Sequence, residues 1–298
     1  MAAIGSAQTR GPVGSSSPYV MRNRLWHIGL YLVAIVLCLI FGFPFFYTIT
    51  SSLKAPGEIF LFPPTVFPEV PQWSNYAQVL DRFPFVQWFF NTVLVTILAT
   101  LGTVLSASLV AYSFARFQYR GRDTLFVITL ATMMMPAQIT LIPQFILFWR
   151  FGWIDTLYPL WVPLWFGGSA FFIFLIRQFI MSLPRDLDEA ALIDGASRFR
   201  ILWNILLPLS KPVLATAAII AYMAEWNRFM EPLIFLNTPT KFTLSVGISF
   251  LRQHVDTTEI LQHLLMAAAV MMIAPTLIVF FAAQKYFVQG VVMSGLKG

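Results

Sequence analysis

Four of the thirteen carboxylates in this 298-residue sequence fall close together: Asp186, Asp188, Glu189 and Asp194. Ala190, Ala191, Gly195 and Ala196 are interleaved with them. Chemistry that breaks bonds has little support elsewhere. The histidines His27, His254 and His263 are scattered, and the single cysteine, Cys38, lies inside an apolar run, where a packing role in a helix is expected. No Gly-x-x-x-x-Gly-Lys-Ser/Thr loop is present to cradle nucleotide phosphates, and neither Gly-x-Ser-x-Gly nor His-Glu-x-x-His occurs. The carboxylate cluster is therefore suited to recognition: charge beside side chains small enough to let another surface approach the backbone.

The local pattern is that of two short helices. After Leu183-Pro184, Asp186, Asp188 and Glu189 fall in a first turn, where the helix dipole favours carboxylates. Gly195 supplies a left-handed reversal. Ile201, Leu202, Ile205 and Leu206 then make the apolar stripe of an amphipathic segment, which Pro208 ends before Pro212 opens the next run. A plain linker needs no acidic cap, small face and glycine at these positions.

The surrounding chain is a membrane protein by composition. It is 58% hydrophobic and 11% charged, with mean hydropathy +0.75, against about 25% charged for soluble domains. Apolar runs at 25–49, 87–115, 124–147, 158–181, 210–230 and 263–288 are each long enough to cross the hydrocarbon core as a helix. The first is too long for a signal-peptide core of about 7–15 residues. An all-α membrane fold of six transmembrane helices is expected over 25–288. Residues 1–24 form a Gly/Ser-rich, disordered tail, 182–209 the polar loop, and 289–298 a terminal tail.

Charge sets the orientation. Arg10, Arg22, Arg24, Arg116, Arg120, Arg122, Arg177, Arg185, Arg198, Arg200, Lys211, Lys285 and Lys297 fall on one side. Only Lys54, Arg82, Arg150, Arg228, Lys241 and Arg252 fall on the other. The positive-inside rule places both termini and the 182–209 loop in the cytoplasm. That asymmetry accounts for the net charge of +6 and pI of 9.6 without nucleic acid. Outside, the proline-rich stretch 51–85 is expected to be ordered, with a short interfacial helix from Trp73 through Leu80. The second large external segment is 231–262; the two either cap the bundle or receive a soluble partner.

The loop resembles the "EAA" loop of ATP-binding-cassette importer permeases: Glu189-Ala190-Ala191, three residues, Gly195, nine residues, Ile205, one residue, Leu207-Pro208. Asn91-Thr92, Ala111 to Arg116, Pro136 with Gln138 to Pro143, Phe174 to Phe179, Trp226-Asn227 with Pro232-Leu233, and the ending from Phe287 are similar to the carbohydrate branch, of maltose and multiple-sugar type. The likeness covers roughly 25–298. It implies a non-catalytic subunit of the bacterial or archaeal plasma membrane, paired with a homologous second permease. It also implies two cytoplasmic ATPases that bind the ATP and Mg, an extracytoplasmic substrate-binding protein and a sugar substrate, with no cofactor in this chain. Asp188, Glu189, Ala190, Ala191, Asp194, Gly195 and Ala196 would form the ATPase-coupling surface, and Gly290 to Gly298 would extend toward the ATPases.

Within the spans, Gly102, Ser106, Ala107, Ala111 and Ala115 make a close-packing face, for this chain or a partner. Pro136 and Pro143 should interrupt the third span, and broken helices at that depth often line a cavity. Asn91, Gln138, Glu225 and Asn227 are the polar candidates for a sugar path, although Glu225 and Arg228 are spaced to pair. Glycerol 3-phosphate or glycerophosphodiesters are the alternative cargo, disfavoured by the scarcity of basic residues inside the spans. A secondary transporter or membrane-enzyme subunit is the remaining alternative. It would leave the loop unexplained, and a coupled-ion transporter would normally carry buried carboxylates in its spans.

Overall fold

The computed structural model describes residues 18–253 and 261–295, and side chains within 26–251 and 261–283. Helices are the regular structure of the described residues, with no strand among them. Helix α1 (Pro18–Ser52) starts ahead of the expected Leu25. Nearly all its side chains between Trp26 and Phe46 are exposed on every face, and Cys38 is exposed with them rather than packed. An all-round apolar helix of this kind is stable only in lipid or against another protein.

The proline-rich stretch that follows is ordered, as expected. Helix α2 (Ser74–Arg82) is tied back to α1 by Asn75, which donates to the carbonyls of Ser52 (2.8 Å) and Lys54 (2.9 Å). Glu58 accepts from the backbone N–H groups of Ala55 and Glu69, which fixes the loop between them.

Helix α3 (Phe85–Arg116) runs unbroken through the middle of the bundle. At 32 residues it is about 48 Å long, well beyond the roughly 30 Å hydrocarbon core. Two cores are built along it. One surrounds Trp88 with Trp226, Phe235 and Leu160; the other surrounds Ala111 with Ile176, Ile201 and Leu206. The small face is used within the chain. Trp165 packs onto Gly102, where a β-carbon would lie 2.4 Å from its ring, and Ser106 donates to the Leu164 carbonyl (2.9 Å).

The third apolar run is two helices, α4 (Arg122–Ala131) and α5 (Ala137–Arg150), bent by 98° at the break. Pro136 causes the bend by holding Met135 in an extended conformation. Pro143 does not interrupt the run as expected; it stays inside α5. The fourth run is also divided, into the single turn α6 (Tyr158–Trp161), a 3-10 turn (Val162–Trp165) and α7 (Ala170–Ser182). Gly167 and Gly168, both at positive φ, make the break. Irregular backbone is tolerated there because the Leu164 carbonyl is bonded to Ser106 inside the protein.

The polar loop contains α8 (Asp186–Ile193), α9 (Arg198–Ile201), a π-helical turn (Leu202–Leu206) and the turn α10 (Leu207–Leu209). After an 80° bend comes α11 (Lys211–Trp226). The bend falls at Ser210, two residues past the proline expected to end the segment. Beyond α11, α12 (Met230–Phe235) packs on α5 and α6, and α13 (Leu244–Gln253) packs on α3 and α14. Helix α14 (Gln262–Gly295) packs on α1, α2 and α11 and carries the helix into the expected terminal tail. Trp26–Ser52, Phe85–Arg116, Tyr158–Ser182 and Gln262–Ala283 are each long and apolar enough to cross a membrane, and the two bent pairs add up to two more spans.

Candidate functional site

The loop is a hydrogen-bonded helix-turn-helix. Three acidic residues open α8, and Gly195 closes it at φ 77°. Ala196 donates to the Ala191 carbonyl (2.9 Å) and Gly195 to that of Leu192 (3.0 Å), the paired bonds of a Schellman motif. Ser197 caps α9 by accepting from the Arg200 N–H (3.3 Å). Ile201, Leu202 and Leu206 are buried as the stripe required. Ile205 is only half-buried, because the π-helical turn widens the spacing.

The seven expected coupling residues do not share one face. Glu189, Ala190, Asp194 and Gly195 are exposed, and Ala196 is half-buried. Asp188 and Ala191 point inward, which corrects the expectation of a continuous small face. Asp188 meets Arg116, at the end of α3, with a 2.9 Å separation between Oδ2 and Nε, both side chains being buried. Arg116 also donates to the Leu183 carbonyl (3.0 Å), so one guanidinium holds both the start of α8 and the turn before it. One turn earlier in α3, Tyr112 donates its hydroxyl to the Arg198 carbonyl (3.2 Å) and holds α9.

On this base the exposed surface adds an apolar patch to the acidic one. Ile193 is 87% exposed, and Phe199 and Trp203 stand out beside each other with stacked rings 6.0 Å apart. Sequence reasoning missed all three, and missed Arg116 and Tyr112. The first three were legible as apolar residues out of phase with the buried stripe. The pairing of positions 116 and 188 leaves no trace in one sequence.

The substrate-path candidates are not brought together. Asn91 donates to the carbonyls of Thr240 (3.0 Å) and Phe242 (3.1 Å), and Asn227 to that of Met223 (2.8 Å), so both serve the backbone. Glu225 is half-buried and pairs with Arg228 (2.8 Å), as its spacing allowed, while Arg228 also donates to the Leu160 carbonyl (2.9 Å). Gln138 alone is exposed and free of such bonds, in the first turn of α5 beside the bend. No group of three or more His, Cys, Asp or Glu side chains among the described residues is placed to hold a metal.

Residues 104–293 match the family described as "Binding-protein-dependent transport system inner membrane component". The chain is 36% identical over 282 residues to the trehalose/maltose transport system permease protein MalG of Thermococcus litoralis, covering 94% of this chain and 98% of the relative. It is 31% identical over 277 residues to the arabinooligosaccharides transport system permease protein AraQ of Bacillus subtilis, covering 92% and 97%. Among solved structures it superposes on a chain of a bacterial ABC transporter involved in the import of the acidic polysaccharide alginate, with TM-score 0.77, 25% identity, and coverage of 93% and 100%. With the matched region extending from within α3 into α14, the chain belongs to the family of binding-protein-dependent transport system inner membrane components.

Proposed function

We propose that this chain is the permease subunit of an ATP-driven importer of sugars or oligosaccharides, fed by an extracytoplasmic binding protein. The observation that carries the coupling part of this reading is the 186–203 helix-turn-helix. Its base is locked by Arg116 and Tyr112, while Glu189, Ile193, Phe199 and Trp203 remain uncovered. An acidic and aromatic surface on a rigid support is suited to docking on a protein with a basic, apolar cleft. Two cytoplasmic ATPases holding ATP and Mg are the partners assigned to it. A charge-assisted contact from Glu189 there is worth about 1.5–3 kcal/mol.

Six spans follow if the pair α4–α5 is one broken span and α11 another. The positive-inside rule then puts the coupling loop and both termini in the cytoplasm. A homologous second permease would cover the exposed apolar faces that lipid does not, and alternating access would open the path between the two. The chain itself performs no catalysis. Gln138 remains the candidate for contact with sugar, since the bent backbone beside it suits a cavity wall. The relatives named above transport trehalose, maltose and arabinooligosaccharides by name, and nothing among them supports glycerol phosphates as cargo.

ATPase activity of the purified complex in lipid, with its binding protein and a panel of sugars and glycerophosphodiesters, tests the reading. Stimulation by one sugar is expected. Stimulation by phosphodiesters alone would keep the architecture and overturn the cargo.

A further inference from the structure

Helix α3 is clamped at both of its ends. At one end Arg116 and Tyr112 hold the two halves of the coupling loop. At the other, about 42 Å away along the helix, Trp88 donates its indole N–H to the Pro239 carbonyl (2.7 Å). Asn91 donates to the carbonyls of Thr240 and Phe242, and the Thr92 hydroxyl accepts from the Leu244 N–H (2.8 Å). These contacts hold an external segment, 239–244, against the helix end. Each of the two hydrophobic cores grips one half of the same helix.

The other routes across the bundle are interrupted. Between α4 and α5 the chain bends by 98°, the Tyr158–Ser182 run breaks at Gly167-Gly168, and α11 meets the coupling loop through an 80° bend. Helices α1 and α14 each contain an internal proline, Pro44 and Pro275, whereas α3 contains none. A helix without proline keeps its full ladder of backbone bonds and resists kinking.

We infer that α3 is a strut that carries movement of the coupling loop to the external 239–244 segment, with Arg116 and Tyr112 as positioning residues at one end and Trp88 and Asn91 at the other. The inference rests on the coupling-loop reading above. Displacement of α8 by the ATPases moves Asp188, and the buried ion pair passes that displacement to α3. Because the outer end of α3 is bonded to three backbone carbonyls and one backbone N–H of the segment, at 239, 240, 242 and 244, the segment moves with it.

The test uses the whole complex, with partner permease and ATPases, in a Cys38→Ser background carrying a nitroxide at Thr240→Cys, an exposed position. Trapping with ATP and vanadate is expected to change the label's spectrum. Trp88→Phe with Asn91→Ala should reduce that change about fivefold, within the range of ordinary coupling between sites. Asp188→Asn should do the same from the opposite end. Leu101→Gly with Leu109→Gly softens the exposed face of α3 without touching either clamp and should also reduce it. Variants are compared only as intact, monodisperse complexes. A spectral change of wild-type size in the clamp or glycine variants overturns the strut. Glu189→Lys separates the two readings: wild-type uptake in that variant sinks the coupling loop itself. Lost uptake there, with an undiminished change at position 240 in the clamp variants, sinks the strut alone.

Discussion

The ring of Trp88 lies so close to Gly247 that a β-carbon added there would come within 2.3 Å of it. Gly247 sits inside α13, where alanine would ordinarily favour the helix by about 0.5–1 kcal/mol. Here the contact reverses the sign. Gly247→Ala must displace a buried indole that also bonds Pro239, and overpacking of this kind costs about 1–3 kcal/mol. Gly42→Ala on α1 meets nothing within 4 Å and is the control. Thermal unfolding in detergent should show a lowered midpoint for Gly247→Ala and no loss for Gly42→Ala.

Asp188 and Glu189 are neighbours in sequence with opposite environments. Removing the Asp188 carboxylate leaves the Arg116 guanidinium buried without its counter-charge, which costs about 3–5 kcal/mol. Removing that of Glu189 exposes nothing. Asp188→Ala is therefore expected to unfold at lower temperature than Glu189→Ala, while Glu189→Ala loses affinity for the ATPases with its thermal midpoint unchanged. Melting curves of the permease, read beside co-purification with the ATPases, check both halves. Equal midpoints for the two variants would contradict the burial of Asp188.

Much of this architecture is legible in the sequence because its causes are local. The acidic first turn of α8, the reversal at Gly195 and the stripe at Ile201, Leu202 and Leu206 follow from dipole, conformational freedom and periodicity, which a few residues express by themselves. The apolar runs are visible for the same reason. What was not legible depends on residues distant in sequence. Asn91 reads as a polar group in a span, and only the fold reveals the carbonyls of Thr240 and Phe242 as its partners. Arg116 reads as one more cation for orientation, and only the fold sets it against Asp188. The two prolines of the third run look equivalent, yet Pro136 caps α5 and Pro143 sits within it. Which of two prolines bends a run is decided by packing around it, and periodicity does not carry that information.

The exposed aromatic pair of the loop should matter for docking alongside its charges. Trp203 and Phe199 present stacked rings outside the buried stripe, and aromatic side chains at the centre of an interface are the usual sources of large truncation costs. Trp203→Ala is expected to weaken ATPase binding by about 2 kcal/mol, near thirtyfold in Kd. Leu206→Ala, one turn away but buried, should instead lower stability. Titration of the detergent-solubilised permease with isolated ATPase measures the first, and a Trp203→Ala variant that binds as tightly as the original would remove the patch from the docking surface.

Asp155 gives the junction between the α5–α6 connection and the loop after α12 a pH dependence whose sign is fixed by its partners. Burial pushes its carboxyl upward, but the Lys241 ammonium, the Thr238 hydroxyl and the backbone N–H groups of Thr238 and Asn237 outweigh that and hold it well below the usual carboxylate range. A group whose pKa is lowered on folding stabilises the fold above its unfolded value. That contribution fades as the pH falls from about 3.9 toward the folded value. The bonds concerned join the α5–α6 connection to the loop after α12, so acid should loosen this junction first. Between pH 6 and pH 3 the thermal midpoint should drop in the wild type. Asp155→Asn should begin lower at pH 6 and change less, because the ion pair with Lys241 is already gone. An equal acid response in both proteins would show that Asp155 does not carry the effect.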